Sequence, residues 1–122
     1  MLEPTNQQRS ALNDVRGALA LGEHHSAQGK AQPALIIQND IGNYYSPVLI
    51  VATLTSGETA RNDVQVEVKV PAGGLQRNSL VLLNQIRTID KQRVGRYWGP
   101  LSAQTMQRVD RAIKISLGLV PV

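Results

Sequence analysis

The sequence predicts a mainly β (α+β) domain: a small, strongly bent antiparallel sheet or barrel with one helix packed on it. Three observations support this class. Several apolar segments have the two-residue period or the continuous apolar character of strands. The C-terminal segment has a helical period instead. The 122 residues suffice for one modest core, and with no Phe, one Trp and three Tyr that core must consist mainly of Leu, Ile and Val.

Four segments beyond the N-terminal region are predicted to be strands. The continuous apolar run of "AQPALIIQ" (31–38) is typical of a buried strand, and "PVLIVATLTS" (47–56) begins with a proline, which a first strand position tolerates. The valines of "VQVEVKV" (64–70) alternate with polar residues, as in a half-buried antiparallel strand. After a predicted turn at "PAGG" (71–74), "SLVLLNQIRTID" (79–90) is apolar first and polar at its far end.

The C-terminal segment is predicted to be an amphipathic helix that begins after Ser102, a suitable N-cap, and ends near Gly118. Lys114 falls in the predicted last turn, where a cation suits the helix dipole. The apolar residues at helical spacing are Met106, Val109, Ile113 and Leu117.

The N-terminal region leaves two alternatives open. Residues 6–22 could form a helix, or "RGALALG" (16–22) could be a short strand with Leu19 and Leu21 on one face. We favour the strand because of the resemblance given below. One domain is therefore expected over residues 16–122, after an N-terminal extension (1–15) for which disorder is one alternative.

Charge and composition limit the classes of partner and compartment. The net charge is +4, and ten Lys and Arg stand against four acids in residues 61–122, while residues 1–60 hold three against five. The basic half, residues 61–122, could bind a polyanion such as a nucleic acid, or its charges could form an ordinary solvated surface. The absence of cysteine excludes disulfides and thiolate metal sites. No secretion signal or membrane span is recognisable, so we expect a cytoplasmic protein.

An unusual polar stretch follows the first predicted strand of the core. "IIQNDIGNYYSP" (36–47) has more hydrogen-bonding side chains than the roughly two to five residues of a hairpin turn require. Three segments, "QPALIIQNDIGNYYSPVLIVATLTS", "GGLQRNSLVLLNQIRTIDKQRVG" and "LSAQTMQRVDRAIKISLGL", resemble the MazF/PemK family of toxin endoribonucleases over about residues 28–119.

The resemblance implies a fold, an activity and partners. The fold would be a small SH3-like barrel with a C-terminal helix, usually in a symmetric homodimer neutralised by a cognate antitoxin. The activity would be cleavage of single-stranded RNA at short sequence motifs, with no metal and no cofactor. The polar stretch would shape a turn near the dimer surface. Four polar side chains of this stretch would hydrogen-bond to backbone groups that the turn leaves unpaired. They are Gln38, Asn39, Asp40 and Asn43.

The family's catalytic residues are only partly matched. The resemblance implies a Thr at the end of a core strand, and Thr55 stands there with Ser56 beside it. It also implies an Arg in a loop that reads roughly G-x-E-Q-x-G-x-R-P, where this chain has "HSAQGKAQP". At the position of the acid in the family pattern this chain has Ala27, and at the position of the arginine it has Gln32. A neutral amide cannot replace the charge of a guanidinium on phosphate, and losing such a contact costs about 10²- to 10³-fold in rate.

Two hypotheses follow from this divergent loop. In one, the chain is a working nuclease in which His24 and His25 serve as acid and base and Lys30 replaces the lost charge. In the other, it is a catalytically impaired homologue that binds antitoxin or RNA. A gyrase-poisoning toxin resembling CcdB is a more distant alternative, because "QIRTIDK" and the helix follow the nuclease branch.

RNA-binding candidates are the polar and basic residues near these motifs. They are Gln28, Lys30, Arg61, Arg77, Gln85, Arg87 and Thr88, with Lys91 and Arg93 as further basic candidates. Reading of single-stranded bases usually needs aromatic rings. The chain offers Tyr44, Tyr45, Tyr97 and Trp98, and we expect Trp98 to be buried in place of an aliphatic residue.

Overall fold

A computed structural model describes residues 15–22 and 33–121. Its regular elements are β1 (Leu19–Gly22), β2 (Ala34–Ile36), α1 (Asp40–Tyr45), β3 (Val48–Ser56), β4 (Gln65–Val68), β5 (Ser79–Asp90), β6 (Val94–Trp98) and α2 (Ala103–Ser116). Two short 3₁₀ helices, Ala72–Gly74 and Lys91–Arg93, follow β4 and β5. The predicted mainly β class with a C-terminal helix is confirmed.

The strands form one antiparallel sheet in the order β4-β5-β3-β2-β1-β6. The four predicted core strands are all present, and β5 has the predicted bounds 79–90. The prediction missed β6, which pairs with β1 and is only five residues long. Within the described ranges β4 and β6 do not pair with each other, so they form the two edges of the sheet.

A register shift bends the centre of the sheet. On β3, Ala52 lies opposite Ile86 and the next residue, Thr53, lies opposite Leu82, so the residues between Leu82 and Ile86 are extra on β5. Such a bulge bends a strand and increases its twist. The first half of β5 therefore pairs with both β4 and β3, while the second half pairs with β3 alone.

Aliphatic residues form the core in two clusters, as the scarcity of aromatics predicted. The larger cluster joins residues of β1 to β5 with the buried face of α2, where Val109 is fully buried and Ala112 nearly so. Ser102 caps α2 by accepting from the Thr105 amide, and Gly118 has a φ of 73° just past its end, as predicted. Leu117 was placed on the apolar face of this helix, but it is 59% exposed because it lies at the C-cap, beyond the contact with the sheet.

The N-terminal segment is held by Arg16, and the strand alternative is confirmed. The Arg16 side chain donates from Nε to the Ile37 carbonyl (2.9 Å) and from Nη2 to Asp110 Oδ1 (2.7 Å), and its backbone amide donates to Asp40 Oδ1 (2.9 Å). β1 follows directly, with Leu19 completely buried. Residues 1–14 lie outside the described ranges, so the alternatives for the extension (1–15), disorder among them, are untested there. Val15 is buried in the smaller core cluster.

The polar stretch after β2 forms the helix α1, not the predicted turn. Asn39 caps it by accepting from the Gly42 amide (2.8 Å). Asn43 is completely buried, and its Nδ2 donates to the Gln38 carbonyl (2.8 Å) and to Asp40 Oδ1 (3.1 Å). Gln38 Nε2 donates to Asn43 Oδ1 (3.2 Å) and to the Val48 carbonyl (3.0 Å). These side chains therefore do satisfy backbone groups, as predicted.

Within the described ranges, no helix is long and apolar enough to cross a membrane.

Candidate active site

The site forms around the end of β3, where Thr55 and Ser56 are both exposed to solvent. They lie opposite Leu80 and Ser79 at the start of β5, so the paired strands fix their position. Beside them is a cavity of about 390 Å³, within the size range of small-ligand pockets. Its lining residues are Leu21, Pro33, Leu54, Thr55, Ser56, Leu75, Gln76, Arg77, Ser79 and Trp98.

The described residues on either side of the predicted catalytic loop lie beside this cavity. Leu21 is at the end of β1 and Pro33 directly precedes β2, and both line the same cavity as Thr55. The loop residues 23–32 lie outside the described ranges. The predictions for Gln32, His24, His25, Gln28 and Lys30 therefore fall on residues whose structure is not described, and their roles stay predictions.

Arg77 is the basic residue of the cavity. It lies in the segment between the first 3₁₀ helix and β5, where the Ser79 hydroxyl donates to its carbonyl oxygen (3.0 Å). In the described part of the chain, its guanidinium makes no hydrogen bond or ion pair with the protein. An unpaired guanidinium can bind a phosphate through two parallel hydrogen bonds.

A second depression of about 500 Å³ borders Thr55 and Ser56 and contains Arg61 and Glu58. The Arg61 amide donates to Gln65 Oε1 (2.9 Å), which holds the loop before β4 against that strand. The two hydroxyl residues are therefore common to both depressions, with Arg77 in one and Arg61 in the other.

The other RNA-binding candidates lie elsewhere. Arg87 is opposite Val51 and Thr88 is opposite Ile50, beyond the bulge in β5, and Gln85 lies in the bulge itself. Val51 is four residues before Thr55 on β3, or about 13 Å at about 3.3 Å per residue. Neither the cavity nor the depression includes any of these three candidates.

Trp98 and Gln76 line this site, although neither was among the site residues predicted from the sequence. Trp98 was expected to be buried, but it is only partly buried: one part packs against the larger core cluster and another lines the cavity. Its position depends on β6, in which Trp98 pairs with Leu19 and so lies beside the start of β1. The segment "VGRYW" is short and has little apolar alternation, so it gave a weak strand signal.

The described lining residues offer hydrogen-bond donors and one positive charge. The cavity has three hydroxyls, an amide and a guanidinium, but among its described residues no carboxylate and no imidazole. Such a set can bind and stabilise an anion, while proton transfer needs a further group. Across the ranges 15–22 and 33–121, no group of three or more His, Asp or Glu residues could hold a metal ion.

Comparisons with known proteins show the family to which the sequence is similar. A family model described as "PemK-like, MazF-like toxin of type II toxin-antitoxin system" matches residues 16–117. The chain is 46% identical over 96 residues to endoribonuclease EndoA of Bacillus subtilis, covering 78% of this chain and 83% of that protein. It is also 46% identical over 95 residues to endoribonuclease MazF of Staphylococcus epidermidis, covering 77% of this chain and 79% of that protein.

Solved structures share the fold. A mycobacterial endoribonuclease in complex with its cognate antitoxin superposes with a TM-score of 0.74 at 22% identity, covering 88% of this chain and 98% of that chain. A MazE-MazF structure from Deinococcus radiodurans gives a TM-score of 0.67 at 19% identity, covering 84% of this chain and 93% of that chain.

Proposed function

The chain belongs to the family of PemK-like, MazF-like toxins of type II toxin-antitoxin systems, and from this membership we propose that it is a sequence-specific endoribonuclease that cuts single-stranded RNA without a metal. One observation carries the proposal: Thr55, Ser56 and Arg77 line one cavity, at the point where the loop 23–32 leaves β1 and returns to β2.

The proposed reaction is an attack by the ribose 2′-hydroxyl on the neighbouring phosphorus. The 2′-oxygen–phosphorus bond forms, the bond from phosphorus to the 5′-oxygen breaks, and the products are a 2′,3′-cyclic phosphate and a 5′-hydroxyl. Arg77 holds the phosphate by hydrogen bonds to its oxygens, and the Thr55 hydroxyl donates to a non-bridging oxygen as charge develops there.

Proton transfer is assigned to the loop. One group must remove the 2′-hydroxyl proton and another must protonate the leaving 5′-oxygen. We assign these roles to His24 and His25, because imidazole titrates near neutral pH. The absence of an acid–base group from the described lining of the cavity supports this choice. Gln28, Gln32 and Lys30 are proposed to contact the RNA from the same loop.

The proposed turnover is slow. A neutral amide at position 32 stabilises a pentavalent phosphate less than an arginine would, by about 3 to 4 kcal/mol. The alternative function, an impaired toxin homologue that binds antitoxin or RNA, is favoured by this same residue. The two alternatives differ in one measurement, the release of cyclic phosphate ends.

The proposed partners are a cognate antitoxin peptide and a second copy of the chain, in the cytoplasm. The MazE-MazF structures with the same fold support the antitoxin. Three exposed apolar side chains support a homodimer contact at α1 and the start of β3: Ile41 is 76% exposed, Tyr45 46% and Ile50 38%. Ile41 and Tyr45 are four residues apart on α1 and therefore share a face of that helix.

We also propose that the sheet curls into an SH3-like barrel. Leu19 on β1 and Val66 on β4 belong to one core cluster, although three strands separate β1 from β4 in the sheet order. In a flat sheet those strands would be about 19 Å apart, at about 4.8 Å per strand. The close approach of Gly73, just after β4, to Leu19 supports the same curvature.

The test is incubation of the purified chain with single-stranded RNA in the presence of EDTA, followed by analysis of the fragment ends. We expect 2′,3′-cyclic phosphate ends. The Thr55→Val variant, which removes the hydroxyl at nearly constant shape, should cut at least 10-fold more slowly. Thr53→Val is the matched control, because Thr53 is on the same strand and does not line the cavity. Intact RNA after long incubation would refute the nuclease and leave the binding module.

A further inference from the structure

Trp98 is the only tryptophan of the chain, and it lines the cavity that contains Thr55. It also lines an adjoining depression formed by Gly73, Gly74, Tyr97, Gly99 and Pro100. Trp98 therefore borders two open spaces, one of which is the candidate site. A large aromatic ring left partly uncovered at a cavity with a guanidinium is a typical surface for a nucleobase.

The protein does not use this ring for contacts of its own with other rings. In the described ranges, the ring pair that the structure contains is Tyr44 with Tyr45, on α1. The indole N–H of Trp98 also has no hydrogen-bond partner in those ranges. Buried tryptophans usually satisfy that group. The donor is therefore available to a ligand, and no aromatic side chain of the described ranges covers the ring.

The backbone beside the ring leaves room for it. Gly74 has a φ of 82°, and a Cβ placed there would lie 3.7 Å from Cδ2 and Cε3 of Trp98. A side chain at position 74 would therefore contact the indole, and the glycine leaves that part of the ring without such a contact. The other walls, from Leu21, Pro33 and Leu75, are apolar and suit the flat faces of a base.

The polar residues of the cavity complete a nucleotide site. Arg77 supplies a charge for a phosphate, and the amide of Gln76 can donate to and accept from the edge of a base. These groups lie in the same cavity as the indole and the Thr55 hydroxyl. The cavity therefore combines a phosphate contact, a base-edge contact and a stacking surface.

We propose that Trp98 stacks on the base of the nucleotide next to the phosphate held at Thr55 and Arg77, and that this stacking contributes to the affinity for single-stranded RNA. This inference rests on the proposed nuclease function for its substrate, but it concerns binding and can be tested separately. Stacking of one base on an aromatic side chain contributes about 1–3 kcal/mol, which is about 5- to 150-fold in affinity.

A structural role for Trp98 would give different results from a stacking role. Trp98→Leu keeps an apolar side chain against the core cluster but removes the ring, and Trp98→Phe restores a smaller ring. We expect the leucine variant to bind RNA about 5- to 150-fold more weakly, the phenylalanine variant to recover part of that loss, and both to unfold cooperatively. Equal affinity of the leucine variant and the native chain would overturn the proposal.

The direct measurement uses the fluorescence of Trp98, which is site-specific because the chain has no other tryptophan. The probe is a randomised 2′-O-methyl RNA octamer, which cannot be cut because its 2′-hydroxyls are blocked, and the control is an abasic octamer with the same phosphates. We expect quenching by the octamer with bases and little quenching by the abasic one. Equal quenching by both would overturn stacking, because the phosphates alone would then account for the signal.

The two proposals fail separately. Quenching that requires bases and is followed by loss of binding in Trp98→Leu supports the stacking site even if the native chain cuts no RNA. Cleavage of RNA by Trp98→Leu at the native rate and at the native sites would refute the stacking site and leave the nuclease.

Discussion

Asn43 is the side chain whose removal should destabilise the fold most for its size. It is completely buried and takes part in three hydrogen bonds, with the Gln38 carbonyl (2.8 Å), Asp40 Oδ1 (3.1 Å) and Gln38 Nε2 (3.2 Å). Asn43→Ala deletes all three and leaves the buried Gln38 carbonyl without its amide donor. A buried polar group without a hydrogen-bond partner costs its desolvation free energy, because folding removes its hydrogen bonds to water and supplies no replacement.

The expected loss follows from these bonds. Each contributes about 1 kcal/mol net to the free energy of unfolding, so the variant should lose about 3 kcal/mol. A total stability of about 5–15 kcal/mol makes this a large fraction. Asn39→Ala is the matched control, because Asn39 is exposed and makes a single capping bond to the Gly42 amide. Its loss should be about 1 kcal/mol.

The assay is urea unfolding followed by the fluorescence of Trp98. With a slope of about 1.5 kcal/mol/M, the midpoint should fall by about 2 M for Asn43→Ala and by about 0.7 M for Asn39→Ala. All samples need the same protein concentration, because a dimer would make the midpoint concentration-dependent. An Asn43→Ala midpoint no lower than that of Asn39→Ala, at equal slope, would refute the reasoning that this network is buried and cooperative.

Three further predictions concern activity, assembly and pH. Gln32→Arg, alone and with Ala27→Glu, should raise the cleavage rate by about 10²- to 10³-fold, measured by cyclic phosphate release, and no gain from either would mean that the loop does not reach Thr55. Ile41→Asp should shift the sedimentation coefficient from dimer to monomer while Val70→Asp, the same introduction of a carboxylate at another exposed aliphatic residue, should not; identical behaviour would exclude α1 as the contact. Burial raises the pKa of Tyr97, so folding favours its neutral phenol, and stability should fall as pH rises above the ordinary tyrosine value of about 10. Tyr97→Phe should reduce that fall in urea unfolding at pH 9 to 11, and an unchanged pH dependence would contradict the assignment.

The fold was predictable wherever a short stretch of sequence had the pattern of one type of secondary structure. The alternation of Val66 and Val68, the continuous run before Ser56 and the Ser102 cap each have one physical solution, and the structure contains all three. The helix α1 was not predictable in the same way, because its apolar residues do not form a stripe against the core. It depends on Asn43 being fully enclosed and on Arg16, 24 residues from Asp40, donating its amide to that carboxylate.

The candidate site was predictable only in part. Thr55, Ser56 and Arg77 were selected from the sequence, and they lie together at the end of β3. Arg87 was selected for its match to the family in "QIRT", and it lies beyond the bulge of β5, away from the cavity. A sequence shows that both arginines are near polar motifs, but it does not contain the register shift that separates them.

The sequence by itself determined the aliphatic core, the strand-rich class, the C-terminal helix and the basic second half, because residue type and period act locally. The tertiary structure decided which of those residues share a surface. Pairing of β1 with β6 brings Trp98 opposite Leu19, and pairing of β3 with β5 brings Ser79 opposite Ser56. Such contacts join residues far apart in the chain, and long-range pairing follows from the packing of the whole sheet, which no short segment contains.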